Sequence, residues 1–406
     1  MHMPHLALFM NSLMLGGAER VVLSVVRGLA RRAAFRLDVV LVSRKGPLVA
    51  EIPDGVRVVE LGCGSPLTIW PALLRLPWET ARSLPGASVR AKMPAAARCL
   101  PRLVRYLREE RPDALFTTLR WNNIAALWAA ALAGGPTRVV IREANMPSID
   151  ISSGAHGFDR LLPEQIRSWY PRAHGIVAVS EGVARDLAAF TGLEPGRITA
   201  IHNPVDIDRV GAMASEPVAE EESAEDGWFS PGAPPVIVAV GRLWPQKDYS
   251  TLLRAFARLA AERPARLVIL GEGPERPALE QLAASLGIVG RVRLPGAVSN
   301  PFAYVRRAGA FALSSAWEGF PNVLVEALAC GCPVVSTDCP SGPDELLEGG
   351  RWGSLVPVGD DAALARALSA TLDAPRDSER LQQRAGAFSL DGAVDRYLDL
   401  LLGRPA

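Results

Sequence analysis

The sequence predicts an α/β protein with two doubly wound parallel sheets in series. Three observations support this prediction: the chain is 406 residues long, short apolar runs alternate with helical patterns along it, and the alternation pauses once and then resumes. A single hydrophobic core stops growing at about 250 to 300 residues, so the length favours two domains. The composition, 49% hydrophobic and 21% charged, is typical of globular proteins and excludes a disordered chain.

The N-terminal half begins with an apolar strand pattern over residues 6–10, a loop that ends in Gly16 and Gly17, and a helical pattern over 18–32. Further strands are predicted over 37–42, 114–117, 138–141 and 175–179, with helices over 123–132 and 181–190. Parallel strands need crossover connections, which are usually helices. Strands that alternate with helices therefore predict a parallel, doubly wound sheet.

An acidic, proline-rich segment near residues 216–235 interrupts the alternation. Its lack of hydrophobic periodicity favours a surface linker between two domains. The pattern then resumes, with strands predicted over 236–240, 266–270, 291–294, 309–313 and 333–336 and helices over 249–261, 276–286, 322–329 and 392–402. The second half therefore predicts a second doubly wound domain.

The net charge of +1 conceals an asymmetry between the two halves. Residues 1–205 hold 25 basic and 16 acidic side chains, a net charge of +9, whereas the remainder holds 19 and 27, a net charge of −8. The first half could therefore face an anionic partner, and the general surface of the second half could not.

The five cysteines are an odd number, and the N-terminus shows no signal-peptide pattern, so we expect reduced thiols in a cytosolic protein. Cys330 and Cys332 lie in an apolar run without the paired spacing of a zinc site, which favours core residues over metal ligands. The longest uninterrupted apolar stretch, residues 124–133, has ten residues, where a membrane-spanning helix needs about 20. The sequence therefore predicts no transmembrane segment.

Candidate binding residues follow the predicted strands, at the carboxyl edges where open α/β sheets bind ligands. Gly16 and Gly17 open the first helix, whose free N–H groups and dipole attract an anion. After the strand over 236–240 come Arg242 and Lys247, a planar fork and a point charge that suit a diphosphate. The alternative is a pair of solvated surface charges.

A third motif runs from Glu318 to Glu326. Pro321 suits the first position of a helix, so the amides from Phe320 to Asn322 would form an anion-binding helix terminus. Glu326, about one turn into that helix, would repel a phosphate and suits hydroxyl partners such as those of a ribose, while Glu318 could approach a sugar. The alternative is one capping carboxylate and one surface carboxylate.

Glu318 and Glu326, with seven residues between them, follow Gly241-Arg242-Leu243 and Lys247 in an order that resembles the family 4 retaining glycosyltransferases of the GT-B fold. The resemblance covers both halves of the chain in the expected order. It extends through residues 16–20, 179–182, 201–206, 270–274 and 342–346.

The resemblance implies two Rossmann-like domains that face each other across a cleft. They are an N-terminal acceptor-binding domain, residues 1–205, and a C-terminal nucleotide-sugar-binding domain, residues 206–388. A C-terminal helix within residues 389–406 is implied to cross back to the first domain. The implied reaction retains the anomeric configuration of the donor sugar without a metal or another cofactor, because fixed cations and helix termini stabilise the departing diphosphate.

By the same resemblance, Arg242 and Lys247 neutralise the donor diphosphate, Glu318 lies beside the donor sugar as the third catalytic residue, and Glu326 binds the ribose. The other implied donor-binding residues are Gly16, Gly17, Gly271, Gly273, Gly296, Phe320, Pro321 and Asn322. Candidate contacts of the donor sugar or the acceptor are Arg142, Glu143, Asn145, His202 and Asn203. The segment 142–145 departs from the family, since relatives often place a His there against the sugar.

Asp206 and Asp208 form a D-x-D, the pattern by which other glycosyltransferases hold a divalent metal. Carboxylates of this kind suit Mg²⁺ or Mn²⁺. Because the pair follows Asn203-Pro204, a role in a turn and a helix start is favoured, and no metal site is expected.

The resemblance predicts an enzyme that moves a sugar from a UDP-sugar to a glycan or lipid-linked saccharide in surface-polysaccharide or glycolipid assembly. The alternative is a nucleotide-sugar epimerase or another non-transferase enzyme on the same fold. A binding module for nucleic acid or membrane is a third class. The paired glutamates among phosphate-binding cations argue against it, so no nucleic-acid partner is expected.

Residues 67–111 hold nine basic and three acidic side chains, interleaved with Trp and Leu. Such a surface can rest at an anionic lipid interface. The alternative is a helical pair with a solvated basic face and a buried apolar face. The first interpretation favours a cytoplasmic enzyme with peripheral contact at the inner face of the plasma membrane.

Overall fold

Two parallel β-sheets organise the protein in the computed structural model, which describes residues 3–14, 16–32, 34–64, 66–77, 93–152, 157–218, 227–230 and 232–404. The chain divides into two compact units. The first unit comprises Met1–Pro204 and Leu390–Ala406, and the second comprises Val205–Ser389. The predicted α/β class with two parallel sheets is confirmed.

The sheet of the first unit has the strand order β3-β2-β1-β4-β5-β6-β7, and its neighbours pair in parallel. The strands are β1 (His5–Met10), β2 (Arg36–Leu41), β3 (Arg57–Glu60), β4 (Ala114–Thr118), β5 (Arg138–Glu143), β6 (Gly175–Ala178) and β7 (Ile198–Ala200). All six residues of β1 are buried, as expected for a central parallel strand covered on both faces.

The sheet of the second unit has the order β10-β9-β8-β11-β12-β13 and is also parallel. The strands are β8 (Val236–Val240), β9 (Arg266–Leu270), β10 (Val292–Gly296), β11 (Ala310–Leu313), β12 (Val334–Thr337) and β13 (Ser354–Val356). Because β8 lies inside this sheet, the loop that follows it has the carboxyl ends of β9 and β11 on either side.

Helices connect the strands in both units. In chain order they are α1 (Gly17–Arg31), α2 (Pro66–Leu73), α3 (Ala95–Arg98), α4 (Leu100–Glu110), α5 (Arg120–Ala133), α6 (Pro147–Ser152), α7 (Leu162–Trp169), α8 (Glu181–Thr191), α9 (Ile207–Ala214), α10 (Tyr249–Glu262), α11 (Arg276–Ser285), α12 (Phe302–Arg307), α13 (Asn322–Ala329), α14 (Pro343–Leu347), α15 (Asp361–Asp373), α16 (Ser378–Gly386) and α17 (Leu390–Leu402). None of the helices within the described ranges has the length and apolar character needed to cross a membrane.

The last helix, α17, packs in the core of the first unit. Val394, Tyr397 and Leu401 are at most 1% exposed there, and the ring of Tyr397 meets Phe116 of β4 edge to face at 5.2 Å. On α1, a Cβ atom at Gly28 would lie only 2.4 Å from Val394 Cγ2. Glycine at position 28 therefore allows α1 and α17 to approach this closely.

The chain passes between the two units at Pro204–Val205 and at Ser389–Leu390. Val205 pairs with Ser389 in an isolated bridge, and its N–H donates to the carbonyl of Phe388 at 3.0 Å. The acidic segment 216–235, which the sequence favours as a linker between domains, instead falls within the second unit, and its residues 219–226 and 231 lie outside the described part. Acidic composition indicates a surface position, and it does not locate a domain boundary.

Candidate active site

Three loops at the carboxyl edge of the second sheet are joined by backbone hydrogen bonds. After β8, the N–H of Leu243 donates to the carbonyl of Glu272 at 2.9 Å, and the N–H of Gly271 donates to Gly296 at 2.8 Å. A Cβ atom at Gly271 would lie 1.9 Å from the carbonyl oxygen of Gly241. Glycine at position 271 is therefore needed for the loops after β8, β9 and β10 to lie in contact.

Lys247 and Glu318 form a shielded ion pair at this edge. Lys247 Nζ donates to Glu318 Oε1 at 2.6 Å, and the hydroxyl of Ser315 donates to the same oxygen at 2.6 Å. The side chains of Lys247 and Glu318 are 14% and 8% exposed. The pair is therefore held by a third group and is largely removed from water, unlike a surface salt bridge.

The local fold explains the position of Lys247. The residue ends a 3₁₀ turn, Pro245–Lys247, and is followed by Asp248 in the left-handed conformation with φ of +42°. The Asp248 carboxylate accepts from the N–H of Thr251 and so caps α10. The 3₁₀ turn before Lys247 and the capped helix after it therefore fix the backbone on both sides of the lysine.

The loops before Lys247 and before Glu318 are also tied to each other. Ser314 Oγ donates to the carbonyl of Lys247 at 2.7 Å, and Gln246 Nε2 donates to the carbonyl of Trp317 at 2.9 Å. The N–H of Ala316 donates back to Gln246 at 2.8 Å. The ion pair therefore joins two segments that three other hydrogen bonds already hold together.

Tyr249 lies beneath the pair. Its ring is 5% exposed, and its hydroxyl oxygen is 2.8 Å from where a Cβ atom on Gly241 would stand. Burial, with a further contribution from the Glu318 carboxylate, holds the pKa of Tyr249 well above its usual range. Tyr249 is therefore a neutral phenol, buried next to Gly241 and near the Glu318 carboxylate.

The segment from Glu318 to Glu326 leads into α13. The helix begins at Asn322 with Pro321 as its N-cap, so the prediction that Pro321 is the first helical residue is off by one position. Glu326 is half-buried, one turn into the helix.

The loop before α13 is fixed on two sides. Ser341 Oγ donates to the carbonyl of Gly319 at 2.9 Å, and a Cβ atom at Gly342 would lie 2.5 Å from Pro321 Cδ. On the other side, the rings of Phe320 and Phe388 have centroids 5.5 Å apart. The N-terminus of α13 is therefore presented by a loop with anchors in two other segments.

Arg242 differs from Lys247 in its surroundings. The side chain of Arg242 is exposed, and its guanidinium carbon lies 5.5 Å from the ring centre of Trp244, which is 47% exposed. The two cations predicted to act together are thus an exposed arginine over an indole ring and a shielded lysine.

In the first unit, Gly16 is the N-cap of α1 and Gly17 its first residue. A Cβ atom at Gly16 would lie 2.2 Å from a carboxylate oxygen of Glu19. An acidic side chain of the protein itself therefore lies over this helix terminus, where it interacts favourably with the helix dipole.

Three of the first-domain residues singled out from the sequence, Arg142, Glu143 and Asn203, are buried and hydrogen-bonded. The guanidinium of Arg142, which is 1% exposed, donates to Thr118 Oγ1 at 2.9 Å and to Asn203 Oδ1. Glu143, 3% exposed, accepts from the hydroxyl of Tyr170 at 3.1 Å and pairs with Arg120 at 3.3 Å. The structure thus brings Arg142 and Asn203 together and gives Glu143 other partners.

Asn145 is linked to Glu143 through Asp150, which pairs with Arg120 at 2.6 Å. Asn145 Oδ1 accepts from the N–H of Met146 at 3.0 Å, and its amide nitrogen lies 3.4 Å from Asp150 Oδ1. His202 is half-buried in the segment after β7.

The D-x-D pair starts a helix. Asp206 is the N-cap of α9, and its Oδ1 accepts from the N–H of Arg209 at 3.2 Å. Among the residues that the structure describes, no group of three or more His, Cys, Asp or Glu side chains is arranged to hold a metal ion.

The basic stretch 67–111 is described only in part, since residues 78–92 lie outside the described ranges. In the described part, the apolar side chains of α4 are turned inward: Leu100 and Leu103 are fully buried, and Leu107 is 2% exposed. Arg102 and Arg105 of the same helix are exposed. On α4, the arrangement is that of the alternative interpretation, with a solvated basic face and a buried apolar face.

Sequence reasoning missed three residues of this geometry: Ser315, Tyr249 and Phe388. Ser315 lies three positions before Glu318, and its hydroxyl so close in sequence to a candidate carboxylate could have indicated a hydrogen bond between them. The two aromatic residues read as ordinary core positions, and nothing in the sequence places them near Glu318.

Comparison with known proteins agrees with this architecture. Residues 15–209 match the model described as Glycosyltransferase Family 4, and residues 234–374 match Glycosyl transferases group 1. A protein of Campylobacter jejuni is 32% identical over 99% of this chain and 100% of its own length. It is named N-acetylgalactosamine-N,N'-diacetylbacillosaminyl-diphospho-undecaprenol 4-alpha-N-acetylgalactosaminyltransferase. The lipopolysaccharide core biosynthesis glycosyltransferase LpsE of Rhizobium meliloti is 29% identical over 62% of this chain and 79% of that protein.

Solved structures resemble the whole fold. The apo form of the lipopolysaccharide outer core galactosyltransferase WaaB has a TM-score of 0.71 at 20% identity, covering 99% of this chain and 100% of WaaB. Anabaena HepE, in complex with UDP and glucose, has a TM-score of 0.75 at 17% identity, covering 99% of this chain and 100% of HepE. The family assignment rests on the full-length C. jejuni relative, and the solved structures support the fold. The chain belongs to glycosyltransferase family 4, and it is a hexosyltransferase-type enzyme with the GT-B fold.

Proposed function

We propose that the enzyme transfers a sugar from a UDP-sugar to a lipid-linked saccharide during the assembly of a surface polysaccharide or glycolipid. The C. jejuni relative is named for transfer to a saccharide on diphospho-undecaprenol, and the R. meliloti relative for lipopolysaccharide core biosynthesis. HepE, which has the same fold, was solved with UDP and glucose. These names support the donor and acceptor classes.

The observation that carries the proposal is the Lys247–Glu318 pair beside the N-terminus of α13. Two positive elements, the lysine and the helix terminus, lie next to a carboxylate on one fixed edge. A nucleotide sugar needs the same combination: donors for the diphosphate and an acceptor for a sugar hydroxyl.

In this proposal, Lys247 and the exposed Arg242 bind the diphosphate together with the amides from Phe320 to Asn322. Glu326, half-buried on α13, accepts from the ribose hydroxyls, and Glu318 lies beside the sugar. The other donor-binding residues of the proposal are the loop glycines Gly271, Gly273 and Gly296, which would border the base, together with Gly16, Gly17 and Pro321.

The chemistry follows from where negative charge develops. When the glycosidic bond to the diphosphate breaks, charge accumulates on the leaving phosphate oxygens, and fixed donors aimed at them lower the barrier. Lys247 supplies that charge without a metal. The leaving diphosphate accepts the proton of the attacking hydroxyl, and attack on the face it vacates retains the anomeric configuration. The alpha linkage in the name of the C. jejuni relative supports retention, because common UDP-hexoses are themselves α-linked.

For the first unit, the burial of Arg142 and Glu143 favours a supporting role over direct contact with substrate. Asn145 and the half-buried His202 are better placed to contact an acceptor or the donor sugar, since less of their surface is covered by the protein. Contact with an anionic membrane would rest on the exposed arginines of α4, because its apolar residues are buried.

The test is UDP release from a panel of UDP-hexoses and UDP-N-acetylhexosamines, with and without a short-chain polyprenyl-diphosphate saccharide. We expect acceptor-dependent UDP release and transfer of radiolabelled sugar into the lipid fraction. Interconversion of UDP-sugars without release of UDP would instead identify an epimerase.

A matched pair of variants locates the donor site. Glu326→Ala removes the proposed ribose acceptor and should raise the donor KM about tenfold, since two hydrogen bonds of ordinary strength are lost. Glu280→Ala removes an exposed helical glutamate of the same unit, which pairs with Arg276 at 3.0 Å, and should leave the donor KM unchanged. Equal KM values for the two variants would contradict the ribose assignment.

Membrane contact is tested by flotation with vesicles of anionic or neutral lipid at low salt. We expect binding to anionic vesicles that salt abolishes, because the exposed basic face interacts by charge alone. Failure to bind either kind of vesicle would contradict membrane contact and leave the transferase proposal intact.

A further inference from the structure

Phe388 lies between an arginine and the loop that leads into α13. Its ring centroid is 5.5 Å from that of Phe320, with the ring planes at 53°. On its other side, the guanidinium carbon of Arg384 is 4.9 Å from the ring centre. Phe388 and Phe320 are 5% and 6% exposed. The Phe320 side chain is therefore packed against a ring that is itself stacked on a guanidinium.

Arg384 is fixed by several partners. Its Nε donates to the carbonyl of Leu346 at 2.9 Å and its Nη2 to that of Glu345 at 3.0 Å. Its Nη1 pairs with Glu348 Oε1 at 2.7 Å. Because every nitrogen of the guanidinium has a partner, the planar guanidinium that contacts the Phe388 ring has little freedom to move.

The backbone of Phe388 is also held. Its N–H donates to the carbonyl of Ala385 at 2.9 Å, and its carbonyl accepts from the N–H of Val205 at 3.0 Å. Both bonds lie where the chain enters and leaves the second unit. The ring is therefore anchored by its own main chain as well as by Arg384.

We propose that Phe388 is a positioning residue for the donor loop, which we define as Gly319–Asn322, and that it sets the affinity of the site for the donor diphosphate. This inference rests on the proposed function, in which the amides of the donor loop bind that diphosphate. Ser341 and Gly342 hold the loop on one side, and Phe388 holds it on the other through Phe320. Loss of the ring removes one anchor of the amides at the start of α13.

The test compares UDP affinity and kinetics in three variants of the full chain. Phe388→Leu keeps an apolar side chain and removes the ring, Phe388→Tyr keeps the ring, and Phe229→Leu is the control. Phe229 contacts Tyr304 in another ring pair of the same unit, with centroids 5.8 Å apart. The control therefore loses a comparable aromatic contact without touching the donor loop.

Phe388→Leu should raise the dissociation constant for UDP, measured by calorimetry, and the donor KM by roughly three- to tenfold, the range expected for an aromatic contact. The kcat should stay within about twofold, and Phe388→Tyr should restore both constants. A purely structural role would lower the melting temperature in Phe388→Leu and Phe229→Leu alike and leave the UDP affinity unchanged.

Parent-like UDP affinity in Phe388→Leu would overturn this inference while the proposed function stands. If the parent protein binds no UDP, the donor assignment fails instead, and hydrogen exchange of residues 317–329 then decides the positioning claim. Exchange about tenfold faster in Phe388→Leu than in the parent and in Phe229→Leu supports the claim, and equal exchange in all three overturns it. Arg384→Lys keeps the charge and loses the planar guanidinium, so it should raise the dissociation constant for UDP in the same direction but by less. It replaces Phe388→Leu in the test if that variant does not fold.

Discussion

Lys247 Nζ lies 2.6 Å from Glu318 Oε1, although 71 positions of sequence separate the two residues. The lysine proposed to bind the diphosphate is therefore paired with the carboxylate proposed to lie beside the sugar. In the proposed function, the diphosphate would be a further anionic partner of Lys247. Ser315 is a second anchor of the carboxylate, since its hydroxyl donates to the same oxygen.

Opposite effects are expected from changing the two members of the pair. Lys247→Ala leaves Glu318 without its cation and removes the charge for the phosphates, so the dissociation constant for UDP should rise at least tenfold, about 1.4 kcal/mol. Glu318→Gln frees Lys247 and keeps the shape, so UDP should bind as tightly as to the parent or more tightly, while kcat falls about 100-fold. Calorimetry with UDP and steady-state rates measure both effects.

Heat stability with and without UDP supplies an independent check. If UDP protects the Lys247→Ala protein from thermal unfolding as well as it protects the parent, the assignment of Lys247 to the phosphates is wrong. Full activity in Glu318→Gln would contradict the role of Glu318 beside the sugar.

Central strands and their helices could be predicted from the sequence, because buried parallel strands are continuous apolar runs. β8 and β9 match their predicted bounds, 236–240 and 266–270. Three edge or near-edge strands were missed: β3, β7 and β13. β3, for example, contains no fully buried residue over Arg57–Glu60, and its apolar run is only Val58 and Val59 between two charged residues, too short to stand out.

The site was predictable as a set of motifs but not as a geometry. The spacing of Glu318 and Glu326 and the loop with Lys247 are local patterns, and local patterns resemble a family. The ion pair between Lys247 and Glu318 is set by the parallel neighbours β8 and β11, which the sequence does not specify. The same holds for Phe388, whose partner Phe320 lies far away in sequence.

A second prediction is that activity persists in excess EDTA. In the proposed function, Lys247 and the start of α13 supply the positive charge at the leaving phosphates, and Asp206 is engaged as the N-cap of α9. Activity should change by less than about twofold after EDTA treatment and dialysis, whereas removal of one essential charge costs about 100-fold or more.

Asp208→Asn provides the matched control for that experiment. It removes one member of the D-x-D without touching the N-cap and should leave both the rate and the EDTA response unchanged. Loss of activity in EDTA that Mn²⁺ restores in the parent, and fails to restore in Asp208→Asn, would establish a metal site there.

A third prediction concerns the five cysteines. Cys63 is exposed, whereas Cys99, Cys330, Cys332 and Cys339 are buried. Burial raises the pKa of Cys330, Cys332 and Cys339 to about 12, so their reactive thiolate forms are scarce at pH 8. One thiol per chain should therefore react rapidly with iodoacetamide in the native protein, and all five should react after denaturation.

Mass spectrometry of the alkylated peptides identifies the reactive residue. Cys63→Ser should abolish the rapid phase and leave the total after denaturation at four. Rapid labelling of Cys330 or Cys332 in the native protein would contradict their assignment to the core of the second unit.

The final prediction is a pH-dependent contribution of Asp38 to the stability of the first unit. The Asp38 carboxylate on β2 is fully buried. It accepts hydrogen bonds from Arg57 Nε at 3.0 Å and from the Tyr106 hydroxyl at 2.7 Å, and it lies 2.9 Å from His5 Nε2. Burial alone would raise the pKa of Asp38, but the hydrogen bonds from Arg57, Tyr106 and His5 together outweigh it and lower the pKa below its usual value. A lowered carboxyl pKa stabilises the folded state above the unfolded-state pKa of about 3.9, and that stabilisation is lost as the pH falls through the folded-state value.

Asp38→Asn should therefore reduce the free energy of unfolding by about 1 to 3 kcal/mol at pH 7. Urea denaturation followed by tryptophan fluorescence should show the difference undiminished at pH 5 and shrinking below about pH 4. Glu110→Gln, which breaks the partly exposed pair of Glu110 with Arg57 at 2.9 Å, is the control and should cost less than about 1 kcal/mol. A difference between parent and Asp38→Asn that persists unchanged at pH 2 would mean that Asp38 acts through packing and not through its charge.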